Sequence, residues 1–131
     1  MVGAVYLDAS ALVKLILNEV ESRALEQEIA SAGARMTSRV AQVEVHRAVK
    51  RVEPAGMQRV RELFESLLVA ELDGELAEEA ASLEPASLRS LDAIHIASAL
   101  RLGEELEAFI TYDTRQATAA MALGLRVVAP A

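Results

Sequence analysis

Cysteine is absent from all 131 residues. That excludes disulfides, zinc–thiolate centres and thiol catalysis together, and it fits a reducing compartment. Also missing is any apolar run approaching the roughly 20 residues that a bilayer crossing requires. The N-terminus has no basic stretch leading into a long apolar segment with a small-residue cleavage site. These absences predict a soluble, cytoplasmic protein without a membrane partner. Proline (3) and glycine (6) are few and scattered, so no segment reads as a linker, repeat or low-complexity tract. Residues 1–131 therefore read as one domain. Basic residues are outnumbered 13 to 20, for a formal net charge of -7, and that balance by itself speaks against nucleic-acid binding.

What is present points elsewhere. A hydrophobic fraction of 53% belongs to a chain that buries a core. The charge is unevenly placed. Arg35, Arg39, Arg47, Lys50, Arg51, Arg59 and Arg61 face only Glu44 and Glu53 in their stretch, whereas residues 62–84 hold eight acids and no base. Local fields act within about 10 Å at moderate salt, so this asymmetry matters more than the sum. Apolar periodicity alternates short strands (2–7, 35–37, 68–72, 108–111, 126–129) with helices (10–17, 21–31, 40–52, 57–67, 76–83, 91–102, 114–123). Gly33, Gly103 and Gly124 stand where C′ glycines belong. The alternation predicts an α/β domain with a mainly parallel sheet flanked by helices, whose ligands collect beyond the carboxyl ends of the strands.

Four acids fall at that edge: Asp8 and Asp113 just past a strand, Glu44 and Asp92 early in helices. Each has a local explanation. Asp8 suits a helix N-cap, although Ser10 could serve equally. Asp92 suits the first turn of a helix capped by Ser90. Asp113 with Gln116 at N3 is close to a capping box. Glu44, bordered by Val40, Ala41, Val45 and Ala48, resists such treatment unless Arg47 or Lys50 pairs with it. His95, at i+3 from Asp92, reads as a ligand, a proton shuttle or a satisfied buried histidine. Together the four acids suit a hard divalent cation, Mg2+ or Mn2+, which prefers oxygen ligands. Clustered carboxylates raise one another's pKa unless a cation is present. Such a site fits metal-assisted phosphodiester hydrolysis.

These residues resemble the PIN-domain ribonucleases, and within them VapC-type toxins of toxin–antitoxin pairs. The matching pieces are Leu7-Asp-Ala-Ser-Ala-Leu-Val-Lys14, residues 38–44 with the helix glutamate, Leu91-Asp-Ala-Ile-His-Ile-Ala-Ser-Ala-Leu100, and Ile110-Thr-Tyr-Asp-Thr-Arg-Gln116 with Gly124-Leu-Arg-Val-Val128. The resemblance implies a PIN-like three-layer sandwich with a central five-stranded sheet. It also implies Mg2+- or Mn2+-dependent endoribonuclease activity on RNA, often transfer or ribosomal RNA, and dimerisation. A VapB-type antitoxin would place a segment in the active-site groove. By position, Asp8, Glu44, Asp92 and Asp113 match the acidic set, with Asp8 and Asp92 the first choice as direct ligands. Ser10 and Thr111 match supporting polar residues, and Arg115 a phosphate or antitoxin contact. Arg39, Arg47, Lys50 and Arg51 would carry RNA backbone or meet an acidic antitoxin segment.

Two other readings compete. A phospho-aspartate α/β domain would want a second acid beside Asp8 and a late lysine, and the chain has no lysine after Lys50. A non-catalytic partner-binding module would use all four acids as caps.

Overall fold

The computed structural model describes residues 3–131, so the expected start of the first strand at Val2 lies outside the described residues. Five strands, β1 (Ala4–Leu7), β2 (Ala34–Ser38), β3 (Leu68–Ala70), β4 (Leu106–Ile110) and β5 (Val127–Val128), form one sheet in the order β3-β2-β1-β4-β5. Every pairing is parallel. The α-helices among the described residues are α1 (Ala9–Ile16), α2 (Ser22–Ile29), α3 (Arg39–Val52), α4 (Met57–Glu65), α5 (Gly74–Ala81), α6 (Ser90–Leu100) and α7 (Thr114–Ala122).

Alternation along the two central strands sorts the core into layers. Val5, Leu7, Ala108 and Ile110 pack with Leu12 of α1, Leu25 and Ile29 of α2, Val45 and Val49 of α3, and Val60 and Phe64 of α4. Tyr6 and Phe109 point to the opposite face, onto Ile96 and Ala99 of α6 and Ala120 of α7. Both faces of the sheet are therefore covered, which is why these strands read as continuous apolar runs. The apolar faces of α2 and α4 are spent inside this core.

Strand order could not be read from the sequence, and it locates the site. From β1 the chain moves to β2 and β3, then returns to β4 on the other side of β1 and continues to β5. Connections leave β1 and β4 in opposite directions, and a ligand-binding crevice opens beyond the carboxyl ends at such a switch point. Asp8, Thr111 and Asp113 lie there.

The glycine expectations divide. Gly103 and Gly124 adopt left-handed φ values of 53° and 87°, as helix-terminating glycines do. Gly33 does not. Its N–H donates to the Gly3 carbonyl at 2.9 Å, leading the chain into β2.

Candidate active site

Asp8 ends β1 and caps α1. Its Oδ1 accepts from the Ala11 N–H at 3.1 Å and from the Ser10 hydroxyl at 2.6 Å, and its Oδ2 accepts from the Thr111 hydroxyl. Ser10 is thus not an alternative cap but a donor to Asp8, while accepting from the Tyr112 N–H at 2.9 Å. The carboxylate is 4% exposed, and among the described residues no ion pair reaches it. Burial raises its pKa and outweighs the opposing hydrogen bonds from Ser10 and Thr111.

Asp113 caps α7, accepting from the N–H groups of Arg115 (2.9 Å) and Gln116 (3.3 Å). The expected capping box is only half formed. The N–H of Asp113 goes to the Thr111 hydroxyl at 3.1 Å rather than to Gln116, and the buried Oε1 of Gln116 has no partner among the described residues. Thr111 therefore joins Asp8 to Asp113.

Asp92, 7% exposed, lies in the first turn of α6. Arg89 occupies the N-cap position of that helix without a side-chain bond, so the expected Ser90 cap does not form. The partner of Asp92 is Arg115, whose Nε lies 3.1 Å from Oδ2. The same guanidinium is 3.5 Å from Asp113 Oδ2. Arg115 thus bridges two acids, a role the sequence did not suggest.

Glu44 stands on α3 with its side chain 29% exposed. Neither Arg47 nor Lys50 pairs with it. Its Oε1 is 2.8 Å from His95 Nε2, and His95 Nδ1 is 2.7 Å from the Tyr6 hydroxyl. His95 lies one helical turn beyond Asp92 on α6, which ties Glu44 to the same helix.

The contacts Asp8–Thr111–Asp113–Arg115–Asp92, continued along α6 to His95 and Glu44, form one network at the sheet edge. In this arrangement no three acidic or histidine side chains among the described residues are grouped to hold a metal ion. The donor set nonetheless has the right chemistry for a hard cation. It consists of carboxylate and hydroxyl oxygens, it includes a buried carboxylate without a counter-charge, and Arg115 already places positive charge between two of the acids.

The basic residues divide as well. Arg39 is committed to Glu71, through Nε at 2.9 Å, and to Gln42. Arg47, Lys50 and Arg51 are exposed on α3 and form no ion pair among the described residues. Beside Asp92 and Arg115 a cavity of about 410 Å³ opens between α6 and α7, walled by Leu88, Ala119 and Ala122.

Residues 5–121 match the PIN domain. The chain is 40% identical over 128 residues to ribonuclease VapC46 of Mycobacterium tuberculosis, covering 98% of each chain. It is 43% identical over 130 residues to ribonuclease VapC35 of the same species, covering 96% of each. Among solved structures, VapC20 of M. tuberculosis, a toxin cleaving the sarcin–ricin loop, superposes with a TM-score of 0.74 at 17% identity, over 96% of this chain and 99% of that one. The toxin–antitoxin complex from Klebsiella pneumoniae contains a chain that superposes with a TM-score of 0.74 at 23% identity, over 97% and 98%.

Proposed function

The chain belongs to the PIN-domain family, and from that membership we propose that residues 1–131 form a single-domain endoribonuclease, the toxin of a VapBC-type toxin–antitoxin pair, dependent on Mg2+ or Mn2+. The observation that carries the reading is the convergence of Asp8, Glu44, Asp92 and Asp113 on one network at the β1/β4 switch point. Identity of 35–43% to curated VapC ribonucleases supports the activity class.

Asp8 and Asp92 are the proposed direct ligands, and Glu44 and Asp113 complete the site. A bound metal ion lowers the pKa of an attacking water and stabilises charge on the entering and leaving oxygens. The residues around it position the acids. Ser10 and Thr111 fix both oxygens of Asp8, and the α7 N-terminus fixes Asp113. Arg115, half exposed, is placed to meet a phosphate of RNA or an acidic antitoxin group. Toxin–antitoxin complexes among the structural neighbours support a VapB-type antitoxin as partner. A homodimer would use a surface other than the buried apolar faces of α2 and α4.

Sequencing of RNA 5′ ends after induced expression tests the activity. Discrete new ends in transfer or ribosomal RNA are expected, and an unchanged end profile would exclude an endoribonuclease. The metal is tested separately by melting purified protein across a Mn2+ titration. A ligand that binds only the folded state adds about 2.7 kcal/mol at a hundred times its Kd, so a concentration-dependent rise in Tm is expected. A flat response to Mn2+ and Mg2+ alike would remove the cation from the proposal.

The exposed bases of α3 are assigned to RNA backbone. If Arg47, Lys50 and Arg51 each meet a phosphate, their joint replacement by alanine reduces the slope of log K against log salt by about 2, at roughly 0.7 per contact with a single strand. An unaltered slope would leave antitoxin binding as the role of this patch.

A further inference from the structure

We propose that His95 is a positioning residue for Glu44, holding its carboxylate at the sheet edge through an Nε2–H bond whose direction is fixed from behind by Tyr6. The inference rests on the reading of Glu44 as part of the active site.

The geometry is closed at every point but one. The imidazole is 2% exposed, and both its nitrogens are engaged, Nδ1 at 2.7 Å from Tyr6 Oη and Nε2 at 2.8 Å from Glu44 Oε1. Tyr6 is fully buried at the centre of β1 and stacks on Phe109 at 5.2 Å, while its ring meets the His95 ring edge-on at 5.8 Å. A carboxylate oxygen only accepts, so the contact with Glu44 Oε1 puts a proton on Nε2, and the Tyr6 hydroxyl donates to Nδ1. A phenol donating to Nδ1 leaves the imidazole proton on Nε2, facing Glu44.

The open point is the far side of Glu44. Among the described residues His95 is the only hydrogen-bond partner of that carboxylate. A histidine buried merely for packing would need an acceptor, but it would not need to be the sole hold on a half-buried acid. Because Asp92 and His95 are three residues apart on α6, one helix sets the positions of two of the four acids, one directly and one through the imidazole. Supporting bonds of this kind typically cost 10- to 100-fold in metal affinity or activity when removed.

Two measurements test the assignment. The first is single-turnover cleavage of total bacterial RNA in Mn2+, followed at the 5′ ends mapped for the wild type, with folding of each variant checked by thermal melts. His95→Leu is expected to slow cleavage by about 10- to 100-fold. His95→Gln, whose amide can donate to Glu44, should recover most of that loss. In a Glu44→Gln background, His95→Leu should slow cleavage little further. An equal loss in both backgrounds, or a glutamine variant as poor as the leucine one, would overturn the proposal. The second is 15N NMR of the His95 ring, which needs no RNA and no folded leucine variant. A bare Nδ1 with a slowly exchanging Nε2–H that moves in Glu44→Gln is expected. A proton on Nδ1 alone, or an Nε2–H indifferent to Glu44→Gln, would overturn it. Should the wild type cleave no RNA, the activity reading falls and this spectrum still decides the contact.

Discussion

Asp8→Asn is expected to lose RNA cleavage by at least about a hundredfold, the usual scale for removing one electrostatic group at a reacting centre, while the metal-free protein is expected to melt no lower than the wild type. The two halves of this result have one cause. Asp8 is a carboxylate buried beside hydroxyls and an amide, and burial raises its pKa. A folded-state pKa above the unfolded value of about 3.9 means that the fold takes up a proton. The contribution of Asp8 to stability therefore falls as pH rises from the unfolded value through the folded one. Asparagine removes the penalty and keeps the cap, since its oxygen can still accept from Ala11 and Ser10. Its amide would face Thr111, whose hydroxyl can turn to Ser10 Oγ at 3.3 Å. Melting curves from pH 4 to 8 check the sign, with the gap between variant and wild type widening in favour of the variant as pH rises. Retention of wild-type cleavage by folded Asp8→Asn would sink the assignment of Asp8. A large loss of stability would make it a structural cap instead.

Phe109→Ala is expected to cost about 3–5 kcal/mol, the range for emptying a fully buried phenylalanine site. At roughly 3–5 °C per kcal/mol for a chain of this length, Tm falls by about 10–20 °C. Phe109 lies in the strand beside β1, is fully buried, and stacks on Tyr6 with the rings 10° from parallel. The small residues around it, Ala99 and Ala120, cannot swell into the vacated space. Phe109→Leu, which keeps most of the volume, should lose much less. Equal losses for the two substitutions would mean that the aromatic stack rather than the cavity sets the cost.

The elements were nearly all legible because their apolar periods are clean, and the boundaries moved by at most two residues. The alternation predicts a mainly parallel sheet, and every pairing among the described residues is parallel. The four acids were legible as residues that their neighbourhoods could not fully explain, and Glu44, which stood out most, is bonded to His95 and not to Arg47 or Lys50. What was not legible depends on pairs far apart in sequence. Tyr6 and His95 are 89 positions apart and Asp8 and Thr111 are 103, and no local period encodes such a meeting. Arg115 reads as a phosphate or antitoxin contact in the sequence, and its pairing with Asp92 was not foreseen because Asp92 comes from another helix. The capping roles considered for Ser10, Ser90 and Gln116 failed for one reason. Local capping rules name residues able to cap, and tertiary neighbours decide which of them has its hydrogen-bonding groups free.

The strand order has a consequence for synthesis on the ribosome. Chains emerge N-terminus first, and early segments can fold before the rest exists. Here β1, β2 and β3 can pair as soon as residue 70 is out, but β1 then presents a bare edge until β4 arrives some 36 residues later. Thr111, Asp113 and Arg115 come after that strand. No truncated or stalled chain short of residue 113 contains the whole acidic set, and the edge awaiting β4 is the place where an unfinished chain is most exposed to mispairing. Assembly of the site is thereby tied to completion of the sheet.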